Sequence, residues 1–145
     1  MSNEQNIELQ VRLEHDPRDG DDYNILVINE GKHHHAFDKL QHPDHVHTIS
    51  WTLAGNARGG EFCALDDPAN PGFMWLVRTP DGRIFNQLKR VAANKLSIAN
   101  HHRDKASEGR WYYQLFARFG DRVYGVPLTF AAGMANNPNP SIKNT

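Results

Sequence analysis

The chain has 145 residues, of which 39% are hydrophobic and 23% charged, and its formal net charge is −1. This size and composition predict one globular domain with enough apolar residues for a core. The nearly neutral charge gives no electrostatic reason to expect a nucleic acid or an anionic membrane as partner. The sequence has neither a bilayer-spanning apolar run nor a signal-peptide pattern, so we expect a cytoplasmic protein.

Cys63 is the only cysteine, so an internal disulfide is excluded and the fold must depend on packing. Because it lies between Phe62 and Ala64 in an apolar run, we expect a buried, unreactive thiol. A nucleophilic cysteine would need a neighbouring base that the sequence does not place.

Period-two alternation predicts strands in the first third of the chain. Residues 7–13 alternate apolar and polar side chains, as a half-buried strand does, and residues 45–53 alternate in the same way. Residues 23–29 form a short apolar run typical of a strand buried on both faces. The Asp/Gly-rich segment 16–22 lies between the strands predicted at 7–13 and 23–29 and is expected to be a turn. The spacing of its acidic residues does not match a calcium-binding EF-hand loop.

Shorter strands are predicted in the middle of the chain. Residues 73–78 are the most apolar segment and predict a central strand, with Trp75 in its middle. The sequence Thr79-Pro80-Asp81-Gly82 is typical of a β-turn, and residues 83–88 continue as a strand. Residues 89–94 are ambiguous and leave room for one helical turn.

The clearest pattern runs from Lys95 to Gly125 and predicts strand, long corner, strand, tight turn, strand. From Trp111 to Phe119 every second residue is apolar, so one face of this strand forms a continuous apolar stripe. Residues 119–122 supply the turn of a hairpin. After Pro127, residues 128–130 are expected to form an edge strand.

Together these segments predict an all-β fold, a two-sheet sandwich of about seven to nine antiparallel strands with no disulfide. We expect one domain over residues 1–134. The Asn/Pro-rich residues 135–145 have little to bury and are expected to form either a surface tail or a mobile one.

Residues 95–125 resemble the E–F–G region of immunoglobulin-like domains. The features in common are the Leu96-Ser97-Ile98 strand, the acidic-Gly corner at Glu108-Gly109 and the Tyr-rich strand that follows. The resemblance implies an immunoglobulin-like sandwich whose core tryptophan is Trp75 or Trp51. It also allows a tyrosine corner at Tyr112 or Tyr113, with aromatic core packing as the alternative.

A histidine-rich loop is the one candidate metal site. Neutral imidazole is the commonest protein ligand for zinc, copper and nickel, and two histidines spaced two apart share one face of a strand. The alternative is a polar loop followed by a strand whose His47 packs at the edge of the core. The candidate ligands are His33, His34, His35, His42, Asp44, His45 and His47.

We assign no catalytic, cofactor-binding or metal-binding residue with these patterns. The pair Asp66-Asp67 is explained by a turn, and Ser50, Ser97 and Ser107 lack the context of an activated nucleophile. We expect a non-catalytic binding or self-association module, with a homodimer or another protein as partner. A divalent-metal-binding protein or metal-dependent enzyme that uses residues 33–47 is the alternative. The first interface candidates are Tyr112, Phe116, Arg118 and Tyr124.

Overall fold

The computed structural model describes residues 4–14, 25–32, 34–127 and 139–145. Within these ranges the chain forms eleven strands and short 3-10 turns, with no α-helix. The strands are β1 (Asn6–Leu13), β2 (Leu26–Ile28), β3 (His34–Phe37), β4 (His47–Leu53), β5 (Glu61–Phe62), β6 (Phe73–Leu76), β7 (Phe85–Ala92), β8 (Lys95–Asn100), β9 (Gly109–Phe119), β10 (Arg122–Gly125) and β11 (Ser141–Asn144).

The predicted all-β, two-sheet sandwich without a disulfide is confirmed. The first sheet has the strand order β2-β1-β4-β8-β7. The second is built around β9, whose C-terminal half pairs with β5 and β10 and whose N-terminal half pairs with β6 and β11. Strand β3 follows β11 at the edge of this sheet. The strand count is slightly higher than predicted because several strands have only two to four residues.

Two of the strand pairs are parallel, which corrects the expectation of a purely antiparallel sandwich. Strand β1 pairs in parallel with β4, and β3 with β11. Parallel neighbours need a long connection between them. Here β2 and β3 intervene between β1 and β4, and β3 is separated from β11 by most of the chain.

The predicted strand, corner, strand, turn, strand pattern is present as β8, β9 and β10. Strand β8 lies in the first sheet and β9 in the second, so the corner between them carries the chain across the sandwich. On β9 the predicted apolar stripe is buried at Trp111, Tyr113, Leu115 and Ala117, while Phe119 is partly buried.

Trp51 on β4, and not Trp75, is the tryptophan at the centre of the core. Trp51 is fully buried and packs against Phe73 and Tyr113, whereas Trp75 is only partly buried. The indole Nε1 of Trp51 donates a hydrogen bond of 3.1 Å to the hydroxyl of Tyr113. Tyr113 therefore takes part in aromatic core packing, the alternative to a tyrosine corner.

Residues 141–144 correct the prediction that the C-terminal tail of residues 135–145 has little to bury, while residues 135–138 lie outside the described residues. Strand β11 lies between β3 and β9, and its Ile142 is 1% exposed. Its Asn144 is also buried and exchanges side-chain hydrogen bonds with Asn100 of β8. This end of the chain is therefore part of the sandwich.

One further prediction from the sequence is corrected, and three others concern residues that the structure does not describe. Residues 89–92, where a helical turn was considered, are extended and belong to β7. The turn at 16–22, His33 and the strand at 128–130 lie outside the described residues. In the part of the chain that the structure describes, no helix has the length and apolar character needed to cross a membrane.

Candidate functional site

A cleft of about 440 Å³ opens at the end of the sandwich where β7 begins and β8 ends. One wall is the turn before β7 and the other is the corner between β8 and β9. A hydrogen bond of 2.6 Å from the backbone N–H of His101 to the carbonyl of Ile84 ties the walls together. This Trp111 cleft is lined by Asp81, Arg83, Ile84, His101, Arg103, Asp104, Ala106, Ser107 and Trp111.

The first wall is the turn that the Pro-Asp-Gly sequence predicts, centred slightly later in the chain. The carbonyl of Asp81 accepts the N–H of Ile84, and its carboxylate accepts the N–H and the side-chain Nε of Arg83. These bonds to Arg83 hold the pKa of the Asp81 carboxyl below its ordinary value. The ion pair also balances the charge of Arg83 at this wall.

The second wall is a corner that Ser107 holds together. Asp104 caps a short 3-10 turn by accepting the N–H of Ser107, and the hydroxyl oxygen of Ser107 in turn accepts the N–H of Asp104. The guanidinium of Arg103 donates to the carbonyls of His42 and His45, at 3.0 and 2.6 Å. These partners are neutral, so they fix the position of Arg103 without balancing its charge.

Trp111 forms the floor of the cleft and carries an unsatisfied donor. The residue is only 6% exposed, and its indole Nε1 has no hydrogen-bond partner within the described residues. Buried polar groups in folded proteins are nearly always paired, and a buried donor without a partner costs about 1–3 kcal/mol. The nitrogen itself is closed to solvent, so the unpaired donor is a local cost of the way Trp111 packs.

A guanidinium lies over the ring of Trp111. The Cζ of Arg78 is 4.0 Å from the ring centre, and its Nη2 donates to the carbonyl of Arg110. Arg78 directly follows Val77, which is 85% exposed and has a φ of +67°. Val77 is the central residue of a γ-turn, which is closed by a hydrogen bond of 2.7 Å from the N–H of Arg78 to the carbonyl of Leu76. A β-branched residue seldom adopts a positive φ, so the backbone is strained at this point.

Glycine is required opposite Arg78. Gly109 has φ of +137°, and a Cβ atom at this position would lie 2.8 Å from Nη2 of Arg78. Any side chain would both strain the backbone and displace the guanidinium from the indole. The acidic-Gly corner noticed in the sequence therefore contributes to the shape of the cleft.

His101 contributes an imidazole whose pKa is below its ordinary value, first because the ring is partly buried and second because Arg103 is close. Its Nε2 forms a 2.8 Å hydrogen bond with the side-chain oxygen of Asn86. Near neutral pH this ring is therefore mainly uncharged, and the permanent positive charges among the lining residues are those of Arg83 and Arg103.

Ser107 and His102 lie next to each other behind the cleft. The hydroxyl of Ser107 is 2.7 Å from Nδ1 of His102, and both residues are buried. On its other side His102 Nε2 is 2.8 Å from the carbonyl of Thr145. Because a carbonyl only accepts, Nε2 carries a hydrogen, and in the neutral ring Nδ1 accepts the hydroxyl of Ser107.

The hydroxyl oxygen of Ser107 has no lone pair to spare for attack on a substrate. It accepts the backbone N–H groups of Arg103 and Asp104, at 3.1 and 3.2 Å. A hydroxyl oxygen has two acceptor sites, and both are occupied here. The distance between the two side chains is that of a catalytic serine–histidine pair, but here the hydroxyl of Ser107 joins several hydrogen bonds that hold the corner together.

The described histidines that were proposed as metal ligands instead stack on one another or form hydrogen bonds with other groups of the protein. The rings of His42 and His45 stack with their centres 4.4 Å apart, and His34 bonds to Ser141. His47 is fully buried, and both of its ring nitrogens bond to backbone groups. Among the described histidines, cysteines and acids, no three come together as a possible metal site.

The remaining sequence candidates have structural surroundings. Cys63 is buried, as expected, and burial raises the pKa of its thiol. Asp67 accepts the N–H groups of Ala69 and Asn70, as a turn aspartate does. Tyr124, an interface candidate, is 3% exposed and packs on Phe119, so it is not available as a contact residue.

The other interface candidates on β9 remain partly exposed, namely Tyr112, Phe116 and Arg118. The Trp111 cleft was not found from the sequence, where Trp111 stood out only as a core residue. No family model matches this chain, and no curated protein is similar to it in sequence. The candidate site therefore depends on geometry alone.

Proposed function

We propose that this chain is a non-catalytic binding module that holds its ligand in the Trp111 cleft. The observation that carries the proposal is the cleft itself, a concave space of about 440 Å³ in which the indole of Trp111 lies among apolar and charged side chains of both walls.

The size and composition of the cleft support a small ligand or a short peptide segment. Its volume of about 440 Å³ falls in the range of small-molecule sites. An aromatic floor with a few polar groups around it is the usual make-up of such a site. Ile84, Ala106 and Trp111 provide the apolar surface, and the walls provide the polar groups.

A binding role agrees better with the local chemistry than a catalytic one. The one serine–histidine contact beside the cleft has its hydroxyl oxygen fully engaged. Asp81 and Asp104, the two carboxylates at the cleft, each accept backbone N–H groups in turns. Self-association, a homodimer and a cytoplasmic location stay predictions from the sequence, and the geometry of the described histidines gives no support to metal binding.

The test is a ligand screen that uses the nitrogen-attached protons of the protein as probes. A ¹⁵N-labelled sample is titrated with a library of small acids, amides, amines and short peptides, and the signals of Ile84, His101 and Ala106 are followed. The expected result is a saturable shift of these signals by at least one compound. The indole signal of Trp111 is expected to move with them.

A matched pair of variants separates the cleft from the rest of the surface. Ala106→Trp places a large side chain in the cleft, and Ala69→Trp makes the same exchange at another exposed loop residue. We expect Ala106→Trp to weaken binding by at least about tenfold, because it occupies the ligand volume, and Ala69→Trp to leave it unchanged. If no compound binds, or if both variants bind equally well, the cleft is not a binding site.

A further inference from the structure

We propose that the Trp111 cleft selects neutral aromatic ligands that carry a hydrogen-bond donor, and that Nδ1 of His101 accepts from this donor. The inference rests on the proposed binding function and adds the chemical class of the ligand. Three observations carry it: the fixed tautomer of His101, the accessible lone pair on its second nitrogen, and the zero formal charge of the lining residues.

A chain of hydrogen bonds fixes which nitrogen of His101 carries the hydrogen. The side-chain nitrogen of Asn86 donates to the carbonyl of Gly82 at 3.1 Å, so the amide of Asn86 has one orientation and its oxygen is left as an acceptor. This oxygen lies 2.8 Å from Nε2 of His101. Nε2 therefore carries the hydrogen, and in the neutral ring Nδ1 keeps a lone pair.

Nδ1 of His101 is an accessible acceptor. His101 lines the cleft, whereas Asn86, which binds the other nitrogen, does not. Nδ1 has no hydrogen-bond partner in the described part of the chain. There the only side-chain nitrogen or oxygen that is both unpaired and closed to solvent is Nε1 of Trp111. Nδ1 is therefore open, and a ligand that covers it must present a donor to keep it paired.

The other lining residues favour a neutral ligand with an aromatic body. Two arginines and two aspartates line the cleft, so their formal charges cancel. A charged ligand would lose hydration there without a net opposite charge to replace it. The lining also includes Ile84, Ala106 and Trp111, which provide apolar surface on which an aromatic ring packs.

The experiment compares donors with their methylated counterparts in two arms. The first arm titrates the protein with phenol and anisole, and the second with indole and N-methylindole. Each methylated compound keeps the ring and loses the donor. Because the methyl group adds apolar surface, burial of apolar area alone would favour the methylated compound. Binding is followed by nitrogen–proton correlation NMR of the signals of Ile84, His101 and Ala106.

We expect phenol or indole to bind at least about fivefold more tightly than its methylated counterpart, because the counterpart leaves Nδ1 covered and unpaired. The arm with the larger ratio shows whether an O–H or an N–H group is preferred. N-acetyltyrosine amide then distinguishes two sources of the same phenol. Tighter binding than that of phenol points to a peptide side chain, and weaker binding to a free compound. If neither arm shows a preference for the donor, the proposal is overturned while the binding function stands.

The ring nitrogens of His101 report the contact directly. Long-range nitrogen–proton correlation spectra of the imidazole identify which nitrogen carries the hydrogen. In the free protein near neutral pH we expect Nε2 to be protonated and Nδ1 to be bare. Saturation with phenol should move the Nδ1 signal more than the Nε2 signal. A hydrogen on Nδ1 in the free protein, or an Nδ1 signal that phenol leaves unchanged, would overturn the proposal.

Protonation of His101 offers a test at the same atom, because it converts Nδ1 into a donor. The charged groups around the ring are Asp81 and Arg83 from the turn before β7 and Arg103 and Asp104 from the corner. Arginine and aspartate side chains ordinarily keep their charge between about pH 5.5 and 7.5. The preference for phenol over anisole should therefore disappear as His101 is protonated, which the same spectra follow. A preference that persists with the ring fully protonated would contradict the proposed contact.

A matched pair of variants tests the named acceptor. His101→Phe keeps an aromatic ring and removes both nitrogens, so we expect the preference for phenol over anisole to be lost. The control is His34→Phe, the same exchange at an exposed residue of β3, at the edge of the other sheet. It should keep the wild-type preference. An unchanged preference in His101→Phe would show that another group accepts from the ligand, and would overturn the inference.

The wild-type comparison of each donor with its methylated counterpart does not depend on how well a variant folds. If phenol and indole fail to bind while a library compound does bind, the ligand class is wrong and the binding function stands. Absence of binding by every probe and every library compound would instead remove the proposed function itself. The two failures are therefore distinguishable.

Discussion

Ser107 and His102 lie 2.7 Å apart, a distance at which a histidine activates a serine in many hydrolases. The surrounding bonds decide against that use. The oxygen of Ser107 accepts two backbone N–H groups, and Asn144 anchors the same corner by donating to the carbonyl of Ser107. The serine therefore holds the corner that forms one wall of the cleft, and its loss should affect stability first.

We expect Ser107→Ala to lower the free energy of unfolding by about 2–3 kcal/mol, because it leaves the N–H groups of Arg103 and Asp104 without their acceptor. Urea denaturation followed by tryptophan fluorescence measures this. The control is Ser97→Ala, the same exchange at a partly exposed strand residue, which should cost less than about 0.5 kcal/mol. Equal stability of the two variants would contradict the structural role of Ser107.

At the level of whole strands, β9 shows what a sequence pattern predicts well. Its alternation from Trp111 to Phe119 has a period that only a strand provides, and the structure confirms an eleven-residue strand with that face inward. On the opposite face Gln114 is buried as well, because its side chain bonds to the N–H and carbonyl of Val126. A long-range partner of this kind leaves no mark on the local pattern.

Strand β11 shows where such reading fails. Its residues Ser141 and Asn144 are polar, and nothing local suggests that they are buried. They are buried because hydrogen bonds to distant residues satisfy them, as in the reciprocal pair between Asn144 and Asn100. The cleft was not predicted for the same reason, because its lining residues come from segments that are in contact only in the folded chain. The environment of the Trp111 Nε1 atom likewise depends on those long-range contacts.

The importance of β11 leads to a prediction about Ile142. Truncation to alanine should lower the free energy of unfolding by about 2–5 kcal/mol, because it leaves a cavity between the sheets at a side chain that is 1% exposed. Lys143→Ala, at the adjacent exposed residue of the same strand, should change stability by less than about 0.5 kcal/mol. Chemical denaturation of both variants measures the difference. A loss in Ile142→Ala no larger than that in Lys143→Ala would mean that β11 does not contribute to the core.

For the molecule as a whole, the buried His47 links stability to pH. Its Nδ1 accepts the N–H of Gln5 and its Nε2 donates to the carbonyl of Asp38, an arrangement that requires the neutral ring. Burial lowers the pKa of His47, an effect that the bond to Asp38 partly opposes. In the unfolded chain the same histidine is free to protonate near its ordinary pKa of about 6.5.

The sign of the effect follows from proton uptake. Below about pH 6.5 the unfolded chain binds a proton at this histidine that the folded chain does not, so the free energy of unfolding falls as the pH falls. His35 and His101 also have lowered pKa values through burial, and they act in the same direction. The paired carboxylates of Asp67, Asp81 and Glu108 have lowered pKa values and lose their contribution only at more acidic pH.

We therefore expect urea denaturation to show a steady loss of stability between about pH 7.5 and about pH 5.5, a range in which carboxylates change little. His47→Gln should be less stable than the wild type at the upper pH, since glutamine fits the two backbone bonds less well, but its stability should depend less on pH because the titrating group is gone. His42→Gln, which removes an exposed histidine, is the control and should keep the wild-type dependence. If His47→Gln and the wild type lose stability in parallel over this range, the buried ring of His47 is not the group that couples folding to protons.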